Sequence, residues 1–175
     1  MRNESPAADL GRRARSYALR LLEMQDRTAK ELEAKLRGKG FPEDTIIGVL
    51  AEMRSYGYLD DEKLAARFAE DGAESRGLGP LRIRVELARR GVAREIIEDA
   101  VSRAFGADKE NEAALGLAQA WMGRRRPARD ADAGAHADAG AADAATRRRL
   151  YGFLARRGFS SDVIARVLDK VLGQV

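Results

Sequence analysis

The sequence predicts an all-α protein: three tandem three-helix modules stacked into an elongated, curved solenoid built from right-handed helices. Three observations carry that expectation. Alanine is the commonest residue and the 175-residue chain holds only four prolines and no cysteine, a composition that favours helix. A pattern recurs three times, anchored on Gly40, Gly91 and Gly158. On either side of each glycine, apolar residues fall three or four apart, the spacing of one helix face.

Four residues before each glycine stands a leucine (Leu36, Leu87, Leu154), and eight before stands an aliphatic residue (Leu32, Ile83, Leu150). These define a middle helix that the glycine ends by taking the left-handed conformation. An apolar residue follows immediately (Phe41, Val92, Phe159), and an acid comes four residues on (Asp44, Glu95, Asp162), in the first turn of the next helix. That third helix carries Ile46, Ile97 and Ile164 six residues after the glycine and Leu50, Val101 and Leu168 ten after it. Val49, Ala100 and Val167, with Met53, Ala104 and Val171, complete its stripe.

A first helix precedes each pair. Arg13–Met24 carries Ala14, Ala18, Leu21 and Leu22; Asp60 and Asp61 open a helix with Leu64, Ala65, Phe68 and Ala69; Asp108–Met122 carries Ala114, Leu117, Ala118 and Trp121. Helix starts are marked as well: Thr28 with Glu31 forms a capping box, Pro80 after Gly79 fits a first helical position, Pro42 opens the following helix, and Thr146 caps the third middle helix. The modules are therefore read as 13–57, 58–106 and 107–175 behind a flexible tail, 1–12. A unit of about fifty residues buries little core alone, so neighbours should stack.

The third module is interrupted. Pro127–Ala145 contains ten alanines in nineteen residues; Gly134, Gly140 and the lack of apolar periodicity mark it as a flexible linker. His136 lies within it with no partner ligand and reads as solvated.

The net charge of +4 is modest, but its distribution is not. The middle helices carry +2 over residues 28–39, +3 over 80–90 and +5 over 147–157, a total of +10 that leaves −6 elsewhere. Charged helix faces are commonly only solvated; recurrence in all three copies favours a binding surface. Its candidate residues are Lys35, Lys39, Arg82, Arg84, Arg89, Arg90, Arg147, Arg148, Arg149, Arg156 and Arg157. Arg124–Arg126 reads equally as a nucleic-acid contact or a soluble helix end. These helices offer no Asn or Gln for base edges, which points to phosphate or acidic contacts.

Catalytic and metal sites are not expected. A single histidine and the absence of cysteine remove most nucleophilic and zinc constellations. Asp60-Asp61 reads as a helix start rather than a metal pair, Trp121 as core, and Gly77-Leu78-Gly79-Pro80 lacks the phosphate-loop pattern. No run approaches the ~18 apolar residues of a membrane span and no signal peptide is seen. The expectation is a cytoplasmic monomer with no cofactor, no membrane association and no enzymatic activity.

The run Ser55-Tyr56-Gly57-Tyr58-Leu59-Asp60-Asp61, continuing through Leu64-Ala65, Arg76, Gly79, Ile83, Glu86-Leu87 and Gly91-Val92, resembles the central signature of the RecX family, regulators of the bacterial RecA recombinase. Arg27-Thr28, Glu31-Leu32, Leu36, Gly40-Phe41, Ile46 and Leu50 are similar to that family's first repeat. The resemblance implies a non-enzymatic inhibitor that binds along the groove of the RecA–DNA filament and blocks its extension. Strand exchange, ATP hydrolysis and co-protease activity would be damped. The basic helices would then face acidic filament surface or DNA phosphates, the latter weakly and salt-sensitively. A DNA-binding protein acting directly through phosphates is the alternative, and a purely structural scaffold a third reading.

Overall fold

The computed structural model describes residues 6–106, 108–124 and 139–173. Among these the chain forms nine helices and no strand: α1 (Pro6–Met24), α2 (Ala29–Gly38), α3 (Glu43–Ser55), α4 (Asp61–Glu74), α5 (Pro80–Arg89), α6 (Arg94–Phe105), α7 (Lys109–Arg124), α8 (Ala139–Arg157) and α9 (Ser161–Leu172). They divide into two compact units, Met1–Arg67 with Glu86–Ala100, and Phe68–Val85 with Val101–Val175.

The repeat sets the core of both. All six aliphatics at the two middle-helix positions, Leu32, Leu36, Ile83, Leu87, Leu150 and Leu154, are 0% exposed. Gly40, Gly91 and Gly158 take φ of 88°, 82° and 88°, the left-handed turn that ends each middle helix. In the first unit α1, α2 and α3 pack on one another through Ala14, Ala18, Leu36, Ile46, Leu50 and Met53. The alanines of α1 carry no side chain beyond Cβ, so larger residues on α2 and α3 fill the space against them. In the second unit α7, α8 and α9 repeat the arrangement with Ala114 and Ala118 against Leu150, Leu154, Ile164 and Leu168. Trp121 is half-buried against this core, its ring centroid 6.2 Å from that of Phe153. The last stripe position is less uniform: Met53 is buried, while Ala104 and Val171 are only partly so.

Two expectations at chain ends and insertions change. Helix α1 begins at Pro6, so the segment 1–12 is helical from that residue on. Helix α8 begins at Ala139, so the last part of the alanine-rich stretch is helix rather than linker, and Thr146 lies inside α8 instead of capping it. Alanine has the highest helix propensity, and an exposed helix needs no apolar stripe to extend a turn or two beyond its packed part. Residues 125–138, with Arg125, Arg126 and His136, lie outside the described residues.

Thr28 forms the expected capping box. Its Oγ accepts the Glu31 N–H at 3.1 Å, and the Glu31 carboxylate accepts the Thr28 N–H at 3.0 Å. The Thr28 side chain is completely buried, and its hydroxyl also donates to the Arg90 carbonyl at 2.7 Å. Thr28→Ala is expected to cost about 2 kcal/mol, because it removes an N-cap and leaves a carbonyl without its donor. Urea denaturation checks this; Thr28→Ser should retain most of the stability.

Candidate functional site

The structure sorts the cations of the middle helices into two sets, and the joint between successive repeats explains the sorting. A helix leaves its first N–H groups and last carbonyls without intrahelical partners. Here the start of one middle helix meets the end of the next. In the second unit the Gly79 N–H donates to the Arg157 carbonyl at 2.7 Å, and the Leu81 N–H to the Gly158 carbonyl at 3.0 Å. In the first unit Thr28, the residue aligned with Gly79, donates its hydroxyl to the Arg90 carbonyl, and Asp61 accepts the Ala29 N–H at 2.9 Å.

The arginine just before the glycine then reaches across each joint. The Arg90 guanidinium pairs with both carboxylate oxygens of Glu31, at 2.9 and 3.0 Å, and donates to the Asp26 carbonyl at 3.0 Å. Arg157 donates to the Arg76 carbonyl and, at 3.3 Å, to that of Gly77, while its guanidinium lies 5.2 Å from the Phe153 ring centre. Asp26 and Gly77 stand at the same register, fourteen residues before Gly40 and Gly91. Arg90 holds the Glu31 carboxyl below the ordinary carboxylate range, and Glu31 raises the guanidinium in return. Arg90 and Arg157 are thus bound inside the fold.

Of the other candidates, Arg82 and Arg84 also engage partners, and three pairings are specific. Arg147 pairs with Asp169 at 3.1 Å, Arg89 with Glu86 at 3.1 Å, and the Lys39 ammonium lies 5.9 Å from the Tyr17 ring centre. The Arg89 side chain stays 77% exposed, so that pair leaves its cation facing solvent. Lys35, Arg82, Arg148, Arg149 and Arg156 are exposed and Arg84 half-buried. The division places Lys35, Lys39, Arg89 and Arg90 in the first unit and the other candidates in the second.

In the second unit α5 and the end of α8 enclose an open groove. Leu78, Leu81 and Val85 line it together with Arg76, Arg82 and Arg156, and no carboxylate is among its described lining residues. Leu81 and Val85 are 48% and 61% exposed. Sequence reasoning followed the arginines of α5 and passed over these two aliphatics. Their signal is in the register: the first repeat has Lys30 and Ala34 at the same positions, the third Arg148 and Gly152. Tyr56 and Tyr58, in the turn before α4, are also exposed, their rings edge-on with centroids 6.3 Å apart.

The Asp60 carboxylate accepts the Lys63 N–H at 2.9 Å, which lowers its pKa, and Asp61 caps α2, so both acids serve helix starts. No group of three or more metal-ligating side chains is present among the described residues, and no helix there is long and apolar enough to cross a membrane.

Family comparisons agree with the repeat. Models of the first, second and third three-helix domains of RecX match residues 14–53, 60–101 and 136–168. A regulatory protein RecX of Clostridium botulinum is 30% identical over 91% of this chain and 69% of its own length. The chain belongs to the RecX family. A second relative, the regulatory protein RecX of Mycolicibacterium vanbaalenii, is 33% identical over 93% of this chain and 84% of its own length. The crystal structure of RecX from Lactobacillus salivarius shares the fold, with a TM-score of 0.76 at 23% identity, covering 96% of this chain and 99% of that one. Placed within RecX, the chain carries a regulatory role; α2 and α5 are the middle helices of the first two matched spans, and the third span contains α8 and most of α9.

Proposed function

We propose that this RecX-family chain is a non-enzymatic inhibitor of the RecA recombinase that binds in the groove of the RecA–DNA filament, limits its extension and thereby tunes DNA recombination and repair. It acts as a cytoplasmic monomer. Membership of a family of regulatory proteins, matched in all three helical domains, carries the reading. The repeat supports it physically, since several weak contacts on one chain add avidity against a polymeric partner. Lys35, Arg82, Arg84, Arg89, Arg148, Arg149 and Arg156 are the proposed filament contacts, and Arg90 and Arg157 hold the repeats that present them.

The test is ATP hydrolysis by RecA on single-stranded DNA, titrated with this chain. Suppression is expected at fewer than one chain per RecA protomer, and unchanged hydrolysis across a wide range would refute the reading. A second reading, direct binding to DNA phosphates, is favoured by the adjacent exposed Arg148 and Arg149, which make no hydrogen bond or ion pair among the described residues. Labelled DNA without RecA, titrated at two salt concentrations, separates the two. Weak, steeply salt-dependent binding fits an auxiliary contact; tight binding that persists in high salt makes DNA the primary partner.

A further inference from the structure

The groove between α5 and the end of α8 departs from its own repeat. At the two outward positions of the middle helix, ten and six residues before the glycine, the first and third copies carry Lys30 and Ala34, and Arg148 and Gly152. Only the second copy places large aliphatics there. Leu81 and Val85 are one helical turn apart and exposed, while α5 buries Ile83 and Leu87 on its other face. The core therefore makes no demand for either residue. A single exposed leucine is unremarkable, but a contiguous aliphatic ridge set in a groove with a cationic rim is the composition of a contact surface.

The chemistry of the groove selects its occupant. Among the described residues its lining holds the exposed Arg76 and Arg156 and no carboxylate, so the complementary surface is acidic. Nucleic acid fits poorly at the centre: a phosphate laid against the methyls of Leu81 and Val85 loses water without gaining a donor, and no aromatic side chain is there for a base to stack on. A protein segment that sets an apolar anchor between acidic residues satisfies both features. One wall is already fixed, because Arg157 is held by the carbonyls of the 76–77 turn and by Phe153, so little ordering accompanies binding.

We infer that the α5–α8 groove docks an acidic, apolar-anchored segment of a protein partner, with Leu81 and Val85 as the apolar contact and Arg76 and Arg156 as the charged rim. This rests on the regulatory reading in taking that partner to be the recombinase filament. The test compares the unsubstituted chain with the double variant L81A/V85A for binding to RecA filaments assembled on single-stranded DNA, and to the same DNA alone. Both positions are exposed on a helix and alanine is a strong helix former, so the variant should keep its melting temperature. Filament affinity should fall about tenfold while DNA affinity stays within about twofold. Equal losses for filament and DNA would make the groove a nucleic-acid site and overturn the inference. Filament binding that the double variant leaves intact would overturn the groove assignment alone. No filament binding by the unsubstituted chain would overturn the regulatory reading and this assignment with it.

Discussion

Gly158→Ala is expected to destabilise the protein by about 3 kcal/mol, and Gly40→Ala by only about 1 kcal/mol, although the two glycines hold the same repeat position and the same φ of 88°. The shared part is the cost of placing an L side chain in the left-handed region. The difference comes from the joint. Space around Gly40 is empty to 4 Å, whereas a methyl group on Gly158 would fall on the backbone N and Cβ of Arg82 and within 2.8 Å of its Cα. Backbone cannot rotate away as a side chain can, so α5 would have to move off the end of α8. That movement breaks the Gly79–Arg157 and Leu81–Gly158 hydrogen bonds together. Gly79 faces the same contact from the other side: its φ is not positive, yet an added Cβ would lie 2.6 Å from the Phe159 N. Denaturant unfolding of the two variants measures the gap, and equal losses would show that the joint contributes no more than the turn.

The second large effect is at the other joint. Arg90→Ala should cost about 2 kcal/mol at neutral pH, because it removes a paired guanidinium and leaves the half-buried Glu31 with only its capping bond. Partial exposure keeps the cost below that of a fully buried pair. The pH dependence has a definite sign. Glu31 has a lowered pKa in the folded chain, so its contribution is complete above the unfolded carboxylate value of about 4.3 and is lost as pH falls through the lower folded value. The stability difference between the unsubstituted chain and Arg90→Ala should therefore be constant above about pH 5 and narrow below it. A difference that widens on acidification would contradict the assigned role of the pair.

Much of this architecture is legible in the sequence because each repeat encodes it locally. The buried aliphatics, the left-handed glycines, the Thr28 capping box and Pro80 at its helix start all follow from spacing and conformational preference. The start of α8 was not legible, because alanine-rich sequence fits coil and helix alike until a neighbouring packed helix extends into it. The joints were illegible for a different reason. Charge counting treats Arg90 and Arg157 like Arg89 and Arg156, their immediate neighbours, and only the packing of one repeat against the next separates them. Leu81 and Val85 escaped notice because periodicity finds the side of a helix that is buried, and these two lie on the side that is not.

The arginines divide by role: joint cations hold the repeats, and the exposed cations are the proposed filament contacts. Suppression of RecA ATP hydrolysis on single-stranded DNA tests it most directly, comparing the unsubstituted chain with R148E/R149E at matched concentrations. Strong suppression is expected from the unsubstituted chain, with about tenfold more of the variant needed for the same effect and its melting temperature preserved. Equal suppression by both would contradict the assignment of these cations to the partner, and no suppression by either would contradict the regulatory role itself.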